Sequence, residues 1–215
     1  METNSINQYL RTRWQATASV YSDDQPLLEQ LWAELEQAYS ATSRHYHTLA
    51  HLEAMLQLAE QHAADISAGA ALSLAIFYHD AVYKATRSDN EEKSALLAQD
   101  RLQQLSVPAY ERALVTEMIL ATKRHQFHQN PDVNLLLDFD LTILGASWDR
   151  YLLYSGQIRK EYSFYPDFLY HSGRKKVLRH FLEQESIFKT NHFKQQLEQS
   201  ARSNLAQELQ LLTGS

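Results

Sequence analysis

The stretch "AGAALSLAIFYHDAVY", residues 68–83, is apolar nearly all round a helical turn until an imidazole and a carboxylate, His79 and Asp80, interrupt it. A surface helix would show a polar face, so this one reads as a central, buried helix with other helices packed around it. The HD pair ends it. Burying a lone carboxylate in such surroundings is costly unless the group is paired or binds a metal. A packing explanation exists for the dipeptide alone: His79 bonded to a backbone carbonyl, with Asp80 capping the next helix or pairing with an arginine.

The rest of the chain supplies the partners of a central helix. Of 215 residues 44% are hydrophobic, while Gly (five) and Pro (four) are few, a composition that favours helix and disfavours turn-rich β architecture. Ser22-Asp23-Asp24 reads as an N-terminal cap, with Pro26 in the first turn, of an apolar-periodic helix over "QPLLEQLWAELEQAY", and "RHYHTLAHLEAMLQLAEQH" continues the same period. In "SDNEEKSALLAQDRLQQL", Asp89 with Glu92 has the form of a capping box; Pro108 opens "PAYERALVTEMILATKRH". Four later segments extend to about Leu212. The expectation is an all-α bundle of about eight or nine helices. It would form one domain over 1–215, with a motif-bearing core at about 44–162 and C-terminal helices 170–212 packed on it.

Composition also excludes. Without cysteine there is no thiolate catalysis, thiolate zinc site or disulfide. The lack of an 18-residue apolar run and of an apolar signal-peptide core predicts a soluble cytoplasmic protein that does not engage a membrane. A net charge of −6 with mixed signs argues against a general nucleic-acid surface, and short basic pieces such as "GRKKVLRH" read as solvated helix faces.

Two further apolar segments carry metal-ligand chemistry. His47 and His51 are four residues apart in "RHYHTLAHL", on one face if the helix begins by then, and "LLLDFDLTIL" holds Asp138 and Asp140. One metal would satisfy all three segments, whereas packing needs a separate explanation for each. Imidazoles and carboxylates without sulfur suit a five- or six-coordinate divalent ion, Mn, Mg, Fe, Co or Ni, with positions left for water and substrate. Such an ion lowers the proton affinity of bound water and polarises a phosphoryl oxygen.

The order His … His-Asp … Asp on a helical scaffold resembles the HD superfamily of metal-dependent phosphohydrolases. Over about Arg44 to Tyr162, "FYHDAVY", "SDNEEKSA" and "DFDLTILG" look most like an uncharacterised bacterial branch of it. The resemblance implies an HD-type bundle in which His51, His79, Asp80 and Asp140 bind the metal. "FDLTIL" is similar to a family ending whose second aspartate is the ligand, leaving Asp138 for an outer layer. "YHTLAHL" resembles the "YHNxxH" segment of cyclic-nucleotide phosphodiesterases, which makes His47 the general acid; His47 and Asp80 are then the catalytic residues. Thr48 departs from that segment's Asn, so a cyclic nucleotide does not follow. The implied activity is hydrolysis of a phosphate ester or anhydride of a nucleotide or related metabolite.

Around this centre, Asn90 and Glu91 are candidates to reach the metal-bound water, although helix capping explains Asp89 and Glu92. His125 ends a helix and is either a site residue or solvent-facing. Lys123, Arg124, Arg159 and Lys160 are the cations for a phosphate clamp. Tyr83, Tyr154 and Tyr162 suit a base-stacking pocket or aromatic packing. Two rival readings use the same ligands: a metal-dependent nucleotide- or phosphate-binding module without turnover, and a di-iron oxygenase on the same scaffold. The oligomeric state stays open, a homodimer among the options.

Overall fold

The computed structural model describes residues 2–213, which form ten α-helices joined by turns and two short 3₁₀ segments, with no strand among the described residues. The all-α expectation is met, with one helix more than foreseen. The chain divides into two compact units, 1–136 and 137–215. No described helix is long and apolar enough to cross a membrane.

The first unit contains α1 (Glu2–Ala18), α2 (Gln25–Tyr39), α3 (Leu49–Gln61), α4 (Gly69–Tyr78), α5 (Asn90–Gln104), α6 (Ala109–Ala121) and the first part of α7 (Pro131–Leu141). Its centre is α4, which packs against α1, α3, α5 and α6. Every residue from Ala71 to Tyr78 is buried, as the absence of a polar face requires. Trp14 and Trp32 stand edge-on to Phe77, and the Trp14 indole donates to the Leu28 carbonyl at 2.9 Å, so the one polar atom of this large ring is satisfied. Each fully buried side chain of this size contributes about 1.5–3 kcal/mol. Asp132 holds the two residues just before α4 by accepting from the Ser67 and Ala68 amides.

The additional helix is α1. Among its residues of described burial it buries only the narrow row Leu10, Trp14 and Ala18, with Thr17 beside it, and so lacks the broad apolar stripe by which a helix is read. Two local expectations are corrected. Asp24 does cap α2, accepting from the Leu27 amide at 3.1 Å, but Asp89 at the start of α5 caps nothing with its side chain: it pairs with Arg87, and Glu92 pairs with Lys123. Ion pairs with neighbouring cations have displaced the capping box. Also, α3 begins only at Leu49, so His47 lies in the preceding bend and shares no helix face with His51.

The second unit holds the end of α7, a 3₁₀ segment (Thr142–Gly145), α8 (Trp148–Glu161), α9 (Asp167–Glu183) and α10 (Asn191–Thr213). Its spine is α10, packed on α9 and on the 3₁₀ segment. Gly145 permits the latter approach: a Cβ there would lie 2.7 Å from Leu197 Cβ. Asn204 fastens the same place by donating to the Leu144 and Ala146 carbonyls. A buried ion pair joins α9 to α10, Arg174 donating two parallel bonds of 2.8 Å to Glu208, which also accepts from Tyr151 and Ser155 on α8.

Candidate metal centre

The apolar run of α4 stops at Tyr78, and His79 caps it in helical conformation. Its ring is buried, and Nδ1 lies 2.8 Å from the Ile76 carbonyl oxygen. A carbonyl only accepts, so Nδ1 carries the proton and the neutral imidazole presents the lone pair of Nε2. That lone pair faces two other ligand-type atoms: His51 Nε2 at 3.3 Å and Asp80 Oδ2 at 3.2 Å. His51 Nε2 can carry the ring's proton and donate it to His79 Nε2, or both rings can turn their lone pairs, with the Asp80 carboxylate, to a metal. Ligands about 2.1 Å from one ion stand roughly 3.0 Å apart at right angles and about 3.4 Å apart at the tetrahedral angle. The observed separations fall within that interval. His51 and His79 offer ring nitrogens that can share a metal ion, and the backbone carbonyl behind His79 is the usual device that fixes a ligand's tautomer.

The turn carrying Asp80 is held from several sides. The Tyr39 hydroxyl accepts from the Asp80 amide at 3.2 Å and donates to the Phe77 carbonyl at 3.1 Å. Ser94, fully buried on α5, exchanges hydrogen bonds with the amide and carbonyl of Val82, and Asn90 does the same with Lys84. Arg44 donates to the carbonyls of His47 and Ala81. His47 Nε2 stands 3.8 Å from Asp80 Oδ2, with its ring on the ring of Tyr83 at a centroid distance of 4.3 Å. The first unit thus brings His47, His51, His79 and Asp80 together.

Several expected roles meet other contacts. Asn90 closes the 84–90 loop with both ends of its side chain, accepting from the Lys84 amide and donating to the Lys84 carbonyl, a structural use that accounts for it. Lys123 is bonded to Glu92 and to the Ser88 carbonyl; the nearby cation holds the Glu92 carboxyl below its ordinary value. Arg124 is exposed and His125 follows it in left-handed backbone conformation (φ 47°), both in the turn after α6, and Glu91 lies in the first turn of α5.

In the second unit Asp138 is fully buried and accepts from the Lys189 amide and from the amide and hydroxyl of Thr190, at 2.6–2.8 Å. Burial pushes its carboxyl up, and these bonds pull it down without cancelling the rise. They hold the residues leading into α10, a sufficient reason for an aspartate here and a different one from orienting a ligand histidine. Asp140, half-buried, is on the last turn of α7. Arg159 is committed to Asp167 and to the carbonyls of Tyr162 and Tyr165, with its guanidinium over Tyr170, and Lys160 is exposed. Tyr154 lies under Arg174, and Tyr162 packs beside Tyr165 and Tyr170, in aromatic clusters of this unit.

Arg44, Tyr39 and Ser94 were not singled out from sequence as support for the centre. Their types are ordinary in helical proteins, and only the closeness of Arg44 to His47 in the chain hinted at a link. No protein-family model, curated protein or solved structure matches the chain.

Proposed function

We propose that the protein is a metal-dependent phosphohydrolase of the HD type, cleaving a phosphate ester or anhydride of a nucleotide or related small metabolite in the cytoplasm. The observation that carries this reading is His79: its Nδ1 proton is spent on Ile76, and its Nε2 lone pair is aimed at His51 and Asp80. Asp140 is proposed as the further carboxylate ligand, on the ordered His … His-Asp … Asp pattern. A divalent ion held there supplies activation of water and polarisation of a phosphoryl oxygen.

The chain's own residues do the rest. His51 and His79 bring neutral nitrogen, and the carboxylates offset the ion's charge without closing its coordination, a donor set suited to Mn, Mg, Fe, Co or Ni. His47 is near this centre yet off the helix that carries His51. Its reach to Asp80 at 3.8 Å suits a group that gives a proton to the leaving oxygen. The open Lys and Arg candidates for holding the phosphate are Arg124 and Lys160, since Lys123 and Arg159 are already engaged.

Protein purified without chelator and assayed for metal, then offered phosphorylated metabolites with Mn, Mg, Co or Ni, tests the proposal. Phosphate release that requires the ion and stops with chelator is the expected result. Metal-replete protein that binds nucleotides without releasing phosphate would establish the binding module instead. Substrate-dependent oxygen consumption with iron would establish the oxygenase.

A further inference from the structure

We propose that Arg44 is a positioning residue for His47, locking the bend that carries it to the turn that carries His79 and Asp80. The importance of this lock for turnover rests on the proposed proton-donor role of His47; the lock itself does not.

The bend at residues 45–48 precedes α3 and has no helical ladder to fix it, so whatever sets the His47 ring must come from outside helical hydrogen bonding. Arg44 is buried, 7% exposed, and uses the two arms of one guanidinium on the two segments: Nη1 donates to the His47 carbonyl at 3.2 Å and Nη2 to the Ala81 carbonyl at 3.1 Å. The same group lies over two rings, 4.8 Å from the centroid of Tyr39 and 5.4 Å from that of Tyr83. Both rings continue the chain of contact. Tyr39 accepts from the Asp80 amide, and Tyr83 carries the ring of His47. The guanidinium therefore reaches His47 through its own carbonyl and through Tyr83, and reaches the Asp80 turn through Ala81 and through Tyr39.

Residue type makes the assignment specific. Packing alone would be served by a Met of similar length, and positive charge alone by a Lys. A planar cation with diverging donors and a face for aromatic rings is particular to arginine. The arrangement ties His47 to the Asp80 turn through backbone carbonyls and two aromatic rings.

Imidazole ¹H–¹⁵N spectra of the full chain test this directly, with His47→Ala identifying the His47 signal and with Arg44→Lys and Arg44→Met compared against wild type. The His47 resonances are expected to leave the position set by the Tyr83 ring in both Arg44 variants, while the His79 signal, anchored by Ile76, stays. A folded Arg44→Lys or Arg44→Met protein whose His47 signal is unmoved would overturn the proposal. If Arg44→Met fails to fold, Arg44→Lys, which keeps the cation and stem, decides. Turnover is a second arm: both variants should lose on the order of 10²-fold on an alkyl phosphate and far less on an activated aryl phosphate, as for loss of a positioned acid. Wild-type protein with no hydrolysis on any phosphate would remove the hydrolase reading and leave the spectroscopic answer standing.

Discussion

His79 has one nitrogen for structure and one for chemistry. A histidine placed only for packing could turn either nitrogen to a carbonyl, but here Nε2 points at a second imidazole and a carboxylate, a donor set suited to a shared metal. His47 is different in kind, being farther from Asp80 and stacked on Tyr83. His47→Ala is therefore expected to retain metal while slowing hydrolysis of a poor leaving group by about 10²–10⁴-fold, with a smaller loss on an aryl phosphate. Metal analysis beside kinetics on the two substrates checks it, and loss of metal would make His47 a ligand. At this scale the candidate metal centre was legible because His79 and Asp80 break an apolar run. The supports were not, since Tyr39, Arg44 and Ser94 act through backbone groups of the 77–82 segment and of His47, whose positions no spacing rule encodes.

Within α7, Asp138 and Asp140 are two residues apart, so their side chains point about 200° away from each other and cannot readily serve one point. Asp138 has its work assigned by the Lys189 and Thr190 bonds. Asp138→Ala should destabilise the protein by about 2–4 kcal/mol, because buried donors lose their acceptor, whereas Asp140→Ala should release the metal. Chemical denaturation and metal content of the two variants separate the roles; metal lost from folded Asp138→Ala but kept by Asp140→Ala would reverse the assignment. Nine helices could be traced from apolar period and capping signals. The narrow row of α1 fell below that signal, and the start of α3 was set by the bend at His47, not by its apolar repeat.

For the whole molecule, each unit carries its own buried determinant: the α4 packing in the first, the Arg174–Glu208 pair in the second. Burial pushes the Glu208 carboxyl up, but Arg174, Tyr151 and Ser155 outweigh it and hold the carboxyl below its ordinary value. A depressed folded value means that the stability from Glu208 is present above the ordinary carboxylate range, near pH 4.3, and disappears as pH falls through the folded value. Glu208→Gln should cost about 3–5 kcal/mol at pH 7, because Arg174 stays buried without its counter-charge, and progressively less in acid. Thermal melts of both proteins from pH 7 downward read the difference, and a gap that widens in acid would contradict the sign. Composition made the helical class legible, but not the division at Leu136–Leu137, which falls inside α7 where no Gly, Pro or polar linker marks it. The account turns on a cation at His51, His79 and Asp80, and calorimetric titration of chelator-stripped protein with Mn(II) tests that most directly. Saturable binding by wild type and a loss of more than about 100-fold in affinity for folded His79→Ala is the predicted result, and wild-type affinity in that variant would contradict it.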